Sequence, residues 1–166
     1  PIFVSLAYDP AGDAARTMMG VSPEQAVERL SSLGIAALGF NCGTLDMDGY
    51  IALAKAYAAA LDGSGVLLLA EPNAGRPELE GDTAVYKLSA DDYAAALADI
   101  HAAGAQIVGG CCGTSQDYIR ALHSHVKDLK PKERSVTRAP ALASLFSSQN
   151  MLQDPKPFFI GERANT

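Results

Sequence analysis

The cysteines are the most informative residues of this sequence. Cys111 and Cys112 are adjacent within the glycine-rich segment Gly109–Thr114, where a short apolar run ends. Cys42 lies far upstream and also follows an apolar run. Zn²⁺ binds thiolates with tetrahedral geometry, and a catalytic zinc site has three protein ligands and an open fourth position. If both apolar runs are strands, these thiols predict an open three-cysteine zinc site.

The adjacent pair of cysteines needs a special backbone to act as a pair of ligands. Neighbouring side chains of a regular strand point to opposite faces, so Cys111 and Cys112 reach one metal only across a sharp turn. The flanking glycines permit such a turn. A vicinal disulfide is strained and is the weaker alternative. A redox function is also open, although the Cys-x-x-Cys spacing is missing. Cys42 by itself would indicate only a small buried side chain.

Composition excludes several classes of protein. The chain has 166 residues, of which 48% are hydrophobic and 19% charged, enough for one domain with a substantial core. A net charge of −6 argues against nucleic-acid binding, which requires clustered Lys and Arg. The sequence contains neither an apolar run long enough to span a membrane nor a signal-peptide pattern. Three cysteines cannot all pair, which favours a reducing cytoplasm.

Four strand–helix units are predicted to position the cysteines. Ser22-Pro23-Glu24-Gln25 is a capping box with proline at the first helical position. Ser89 and either Thr114 or Ser115 are candidate caps of later helices. Apolar runs predict strands over residues 2–8, 36–41, 66–70 and 106–109, and helical periodicity predicts helices over about 23–33, 47–61, 90–103 and 115–126. A loop is expected from Glu71 to Leu88. The pattern is typical of an α/β fold with a parallel sheet.

Polar side chains also lie at the predicted strand ends. Asp9 follows the first strand, Asn41 ends the second, and Glu71 and Asn73 follow the third. In α/β folds the chemistry gathers beyond the carboxyl ends of parallel strands, so these residues and the cysteines are expected on one rim. Each also has a plainer interpretation, as a turn residue, a loop carboxylate or a member of an ion pair.

Three segments carry a resemblance to a known family. Gly39-Phe40-Asn41-Cys42, Pro72-Asn73-Ala74-Gly75 and Gly109-Gly110-Cys111-Cys112-Gly113-Thr114 resemble the homocysteine S-methyltransferase family in sequence, order and strand-end placement. The resemblance covers residues 1–130. It implies a (β/α)8 TIM barrel, of which this chain supplies about the last four β/α units. It also implies Zn²⁺ held by Cys42, Cys111 and Cys112, and a partner: the missing N-terminal half-barrel or a second copy of the chain.

The end of the sequence carries a second resemblance. Residues 131–157 are rich in proline, serine and charge, which predicts an interdomain linker. Residues 158–166 are interpreted as the first strand of a truncated domain. Ile160–Thr166 resembles the opening of the pterin-binding domain that follows the zinc barrel in cobalamin-dependent methionine synthases. In such a parent, Glu162, Arg163 and Asn165 would contact the pterin, and a cobalamin domain would be a further partner.

The resemblance implies a reaction. Homocysteine is the implied substrate, its thiol is activated by zinc, and methyl transfer gives methionine. The implied donor is methylcobalamin, itself methylated from methyltetrahydrofolate. No catalytic side chain is expected beyond the metal ligands, and Asn73, Asn41, Glu71 and Asp9 are candidate substrate-binding residues. Two alternatives stay open: a non-catalytic half-barrel subunit with a structural zinc site, and a homocysteine methyltransferase that uses another donor.

Overall fold

The computed structural model describes residues 1–130, 141–143 and 148–151. The chain divides into two compact units, Pro1–Arg134 and Ser135–Thr166. The elements of the first unit are β1 (Phe3–Ala11), β2 (Ala14–Arg16), α1 (Pro23–Leu30), β3 (Ala37–Gly43), α2 (Met47–Ala60), β4 (Leu67–Glu71), β5 (Glu78–Glu80), β6 (Thr83–Val85), α3 (Ala90–Ala102), β7 (Ile107–Val108) and α4 (Gln116–Val126).

A five-stranded sheet forms the centre of the first unit, in the order β2-β1-β3-β4-β7. The neighbours β1, β3, β4 and β7 are parallel, and each is followed along the chain by a helix. Strand β2 folds back antiparallel on the last residues of β1. Across the described residues this is a mixed α/β fold with a parallel sheet and four helices, consistent with part of a TIM barrel.

The helices begin where side-chain caps satisfy their free backbone N–H groups. The predicted capping box is confirmed: Ser22 Oγ accepts from the Gln25 amide, and Gln25 Oε1 accepts from the Ser22 amide. Ser89 caps α3 and Ser115 caps α4, also as predicted. Asp46 caps α2, since its Oδ1 accepts from the Gly49 amide. These caps fix the residue at which each helix begins.

The core lies between the sheet and the helices. Its largest fully buried side chains include four tyrosines, and each tyrosine hydroxyl has a hydrogen-bond partner, as buried polar groups require. These residues are Tyr8, Tyr50, Tyr57 and Tyr93. Their bodies pack with aliphatic residues of β3, β4 and α3, among them Leu38, Leu68, Leu97 and Ile100. The apolar layer therefore holds the strand ends, which carry the cysteines, in fixed register.

Some local features differ from the sequence-based expectations. Strand β1 continues to Ala11 and turns back into β2 at Gly12, which has a φ of 62°. The predicted loop 71–88 contains the hairpin β5–β6. The helix predicted over residues 23–33 ends at Leu30, and residues 31–33 form a 3-10 turn in which Leu33 is 64% exposed. Ile119 is 46% exposed, because α4 packs through Leu122 instead.

The second unit is described only in part. Strands β8 (Ala141–Ala143) and β9 (Ser148–Asn150) pair as an antiparallel hairpin within the stretch predicted to be a linker. Residues 158–166, with Glu162, Arg163 and Asn165, lie outside the described residues. Among the helices that the structure describes, none combines the length and the apolar character needed to cross a bilayer.

Candidate metal centre

The three cysteine sulfurs meet at the carboxyl ends of β3 and β7. The Cys42 sulfur lies 2.7 Å from that of Cys111 and 3.5 Å from that of Cys112. The Cys111 and Cys112 sulfurs are 3.9 Å apart. Within the described residues, this is the group of side chains whose ligand atoms are placed to share a metal ion. Cys112 is exposed, and the other two are half-buried, so the cluster opens to solvent on one side.

Cys42 reaches the cluster through an unusual backbone conformation. Its φ is 50°, in the left-handed region that non-glycine residues rarely adopt, and Gly43 follows with a φ of 93°. The register between β1 and β3 shifts at this point, so that Gly43 faces Tyr8. A Cβ atom on Gly43 would lie 1.9 Å from the Tyr8 carbonyl oxygen. Only glycine fits there, and the chain leaves the strand with Cys42 at the bend.

A buried tyrosine holds this bend from the helix side. Tyr50, on α2, donates from its hydroxyl to the Cys42 carbonyl oxygen at 2.8 Å. Its ring is fully buried and stacks on Phe40 of β3, with a centroid distance of 5.8 Å. The strand that carries Cys42 and the helix that follows it are thus joined directly at the ligand residue.

The loop with Cys111 and Cys112 is hydrogen-bonded to the segment that follows β4. The Cys111 amide donates to the Pro72 carbonyl at 3.1 Å, and the Ala74 amide donates to the Cys112 carbonyl at 2.9 Å. The Thr114 hydroxyl donates to the Cys111 carbonyl at 2.6 Å. The turn that brings two adjacent cysteines to one point, expected from the glycines, is therefore stabilised by backbone pairing.

Asn73 bridges the two cysteine loops. Its side chain is 3% exposed. The amide nitrogen donates to the Gly43 carbonyl at 2.8 Å, and the amide oxygen accepts from the Cys112 amide at 3.1 Å. Both polar atoms are therefore engaged with backbone next to the ligands. Contact with a substrate stays a prediction for this residue.

The other predicted site residues lie on the same rim. Asn41 donates from its amide nitrogen to the Cys111 sulfur at 3.8 Å, and its oxygen accepts from the Ser5 hydroxyl at 2.6 Å. Glu71 is the register partner of Asn41 on β4. Asp9 Oδ1 accepts from the Thr44 hydroxyl at 2.7 Å. Of these side chains Asn41 contacts a sulfur, and the substrate contacts of all three stay predictions.

The Cys42 and Cys111 thiols differ in their pKa. Burial, together with hydrogen bonds and negative charge from the other two cysteines, raises the pKa of Cys42 to about 12. Burial also disfavours the Cys111 thiolate, but hydrogen bonds from the Cys42 thiol and the Asn41 amide outweigh it and lower the pKa of Cys111. Without a metal, Cys111 therefore forms a thiolate more readily than Cys42, which keeps its proton and donates it. A bound cation would reverse this preference and favour all three thiolates.

The donor set fits zinc. Thiolates are preferred zinc ligands, with bonds of about 2.3 Å, so sulfurs that share a tetrahedral zinc lie about 3.8 Å apart. The separations involving Cys112, 3.5 and 3.9 Å, are close to that value. The 2.7 Å between Cys42 and Cys111 is shorter, so these two sulfurs must separate to share an ion. The described rim supplies three sulfurs, which suits a site whose fourth ligand comes from elsewhere.

Several residues that build the site were not found from the sequence. Tyr50 and Tyr93 were missed as polar contacts; Tyr93 donates to the Pro72 and Gly109 carbonyls at 3.0 and 2.8 Å. The side-chain hydrogen bonds of Ser5 to Asn41 and of Thr114 to the Cys111 carbonyl were also missed. The spacing of Tyr50, Leu53 and Tyr57 on α2 marks an inward stripe and could have placed Tyr50 in the core. Nothing in the sequence indicated the hydrogen bond that it makes.

Comparison with known proteins identifies the family. The family model described as homocysteine S-methyltransferase matches residues 1–126. The chain belongs to the homocysteine S-methyltransferase family. The resemblance noted from the three sequence segments is thereby confirmed, and membership places the chain among methyltransferases. All three cysteines lie within the matched region.

Two relatives of this family member are methionine synthases. The chain is 32% identical to the methionine synthase of Mycobacterium tuberculosis over 168 residues, covering 99% of the chain and 13% of the relative. It is 32% identical to the methionine synthase of Mycobacterium leprae over 173 residues, covering 99% of the chain and 14% of the relative. The chain thus spans about one-seventh of the length of these proteins.

Proposed function

We propose that this chain carries the homocysteine-activating metal centre of a methionine synthase. The observation that supports this most strongly is the meeting of three thiols, from two strand ends, in a member of the homocysteine S-methyltransferase family. Cys42, Cys111 and Cys112 would hold Zn²⁺. The similarity to methionine synthases along nearly the whole chain favours this over a methyltransferase of another architecture.

The open side of the cluster is what the chemistry requires. A free thiol, with a pKa near 8.5, is mostly protonated at neutral pH and is a weak nucleophile. When bound, Zn²⁺ would lower the pKa of a substrate thiol at the open position while three cysteine thiolates keep that sulfur electron-rich. Exposed Cys112 borders the approach by which homocysteine would arrive. The homocysteine sulfur then attacks an electrophilic methyl group, forming a carbon–sulfur bond as the donor leaves with its electron pair.

The chain's own side chains would orient the sulfurs and the substrate. Asn41 donates to the Cys111 sulfur and is itself oriented by Ser5, so it stabilises negative charge on that ligand. Glu71 lies beside it on the rim and is the candidate partner of the substrate amino group. Asp9 and Asn73 are the further candidates for substrate contact. No catalytic side chain is proposed beyond the metal ligands.

The methyl donor is proposed to be methylcobalamin, replenished from methyltetrahydrofolate on an adjoining pterin domain. In that parent, Glu162, Arg163 and Asn165 would contact the pterin. The proposed domain organisation is a zinc-barrel half at 1–130, a linker at 131–157 and the start of a pterin domain at 158–166. The four parallel strands and their helices would form the second half of a (β/α)8 barrel. The N-terminal half-barrel or a second copy of the chain would supply the rest.

Metal analysis of the purified chain tests the proposal. We expect about one zinc per chain, measured by elemental analysis after dialysis against metal-free buffer. Bound zinc should protect all three cysteines from alkylation by iodoacetamide, and homocysteine should change that protection. Cys42→Ala should lose the metal, whereas Ser64→Ala, which removes a hydroxyl that hydrogen-bonds the Leu61 carbonyl before β4, should retain it.

The same assay separates the alternatives. Zinc that is bound but unaffected by homocysteine would indicate a closed structural site. Freely alkylated cysteines and no zinc, even after the N-terminal half-barrel is added, would refute the metal centre. Methyl transfer from methylcobalamin, compared with other methyl donors in the reassembled barrel, then identifies the donor.

A further inference from the structure

We propose that Tyr50 is a positioning residue for the metal centre, holding Cys42 in the left-handed conformation that brings its sulfur to the other two. This inference rests on the proposed metal site, because its main consequence is for metal binding. It assigns a role to a core tyrosine that family membership does not by itself indicate.

The conformation of Cys42 needs an external support. A non-glycine residue in the left-handed region is strained relative to extended backbone, because its Cβ lies too close to the following carbonyl oxygen. Cys42 has a φ of 50° and ends a strand whose preceding residues are extended. An unsupported Cys42 would relax toward negative φ, which rotates its Cβ and carries the sulfur away from Cys111. Something in the fold must hold the peptide in place.

Tyr50 is the side chain that contacts this peptide. Its hydroxyl donates to the carbonyl of Cys42 itself, at 2.8 Å, and so fixes the peptide plane that follows the ligand residue. The donor is rigidly placed, because the ring is fully buried and stacks on Phe40 at an interplanar angle of 10°. Phe40 lies two residues before Cys42 on the same strand. Tyr50 therefore contacts β3 on both sides of Asn41, through its ring at Phe40 and through its hydroxyl at Cys42.

A second tyrosine on the same helix shows that this arrangement is specific. Tyr57 is also fully buried, and its ring also packs against Phe40, at 6.1 Å. Its hydroxyl, however, pairs with the Tyr8 hydroxyl at 2.7 Å and makes no contact with a cysteine loop. The two residues share burial, helix and aromatic neighbour, and they differ in whether the hydroxyl meets a ligand residue. Tyr57 is therefore a matched control.

The test compares Tyr50→Phe with Tyr57→Phe in the full chain. Both changes remove one buried hydroxyl and keep the ring, so both should lower the free energy of unfolding. Zinc affinity is measured by competition with a chromophoric chelator. We expect Tyr50→Phe to weaken zinc affinity about 10- to 100-fold, the range usual for groups that orient metal ligands. Tyr57→Phe should leave the affinity at the wild-type value.

Two further measurements report on Cys42 directly. Cobalt(II) substitution gives sulfur-to-metal charge-transfer bands, and these should weaken or shift in Tyr50→Phe alone. In the metal-free protein, Cys42 should be alkylated faster in Tyr50→Phe than in wild type, because its thiol leaves the cluster. If Tyr50→Phe does not fold without metal, the zinc concentration that refolds it replaces the affinity, since binding and folding are then coupled.

The outcomes distinguish this inference from the proposed function. Zinc bound equally well by wild type and Tyr50→Phe, with unchanged cobalt spectra, would overturn the positioning role and leave the metal centre intact. An equal loss of zinc affinity in Tyr50→Phe and Tyr57→Phe would show a general effect of core stability and would also overturn the positioning role. Absence of zinc from the wild type, even after the N-terminal half-barrel is added, would refute the proposed function, and the metal-free alkylation of Cys42 would still test whether Tyr50 holds the bend.

Discussion

Replacing Asn73 by alanine tests how the two cysteine loops are joined. The change removes the hydrogen bond to the Gly43 carbonyl and the one from the Cys112 amide. Each such bond contributes about 0.5–1.5 kcal/mol net. Gly43 is only half-buried and Cys112 is exposed, so water can reach the groups left behind. We therefore expect the free energy of unfolding of the metal-free chain to fall by about 1–3 kcal/mol.

The loss of metal affinity should be comparable in free energy with the loss of stability. The bridge connects the loop of Cys42 to that of Cys112, so without it the sulfurs move independently and must be ordered by the metal. We expect zinc affinity to fall about 10- to 100-fold, as for other groups that orient ligands. The assays are urea unfolding of the metal-free chain and chelator competition for zinc.

A matched variant separates the local effect from general loss of stability. Gln106 also uses its side-chain amide to hold backbone, since its Oε1 accepts from the Leu68 amide at 2.7 Å, away from the cysteines. Gln106→Ala should lower stability without changing zinc affinity. Wild-type zinc affinity and stability in Asn73→Ala would refute the bridge. A raised KM for homocysteine with unchanged zinc affinity would instead assign Asn73 to the substrate.

Three further predictions follow from the site geometry. In the metal-free chain at pH 8, peptide mapping should find Cys111 alkylated before Cys42. Because the pKa of Cys42 is raised to about 12, the rate of Cys42 alkylation should rise about tenfold per pH unit below that value. Alkylation of Cys42 before Cys111 would contradict these pKa assignments. Gly43→Ala should prevent or severely weaken folding, because its Cβ would overlap the Tyr8 carbonyl. Gly12→Ala, whose Cβ would meet open space, should lower the free energy of unfolding by only about 1–3 kcal/mol. Equal urea midpoints for the two variants would refute this difference. Asn41→Leu should raise the pKa of Cys111, seen as slower alkylation near neutral pH; an unchanged rate would exclude the amide as a cause.

The strand–helix order and the meeting of the three cysteines could be predicted because they depend on local pattern and one rule of sheet topology. The apolar run before Cys42 and the cap at Ser22 each follow from a few neighbouring residues, and both were found. The convergence of Cys42 with Cys111 followed from one rule, that parallel strands end at the same edge of a sheet. Strands β2, β5 and β6 were missed because each has only three residues and none of them is buried, which leaves no apolar alternation to detect.

The supporting contacts could not be predicted because they join residues distant in sequence. The Asn73 side chain contacts backbone 30 residues before it and 39 residues after it. The positive φ of Cys42 depends on the register shift against β1, which only the assembled sheet determines. The sequence pattern identified the candidate metal ligands. The fold determines which hydroxyls and amides hold them in place.

X-ray absorption at the zinc edge tests the central claim most directly, because it counts the sulfur neighbours of the metal. For the zinc-loaded chain we predict three sulfurs at about 2.3 Å and one lighter atom, with the sulfur count rising to four when homocysteine is added. A coordination shell that already contains four protein ligands, or one that homocysteine leaves unchanged, would contradict an open three-cysteine centre that activates a substrate thiol.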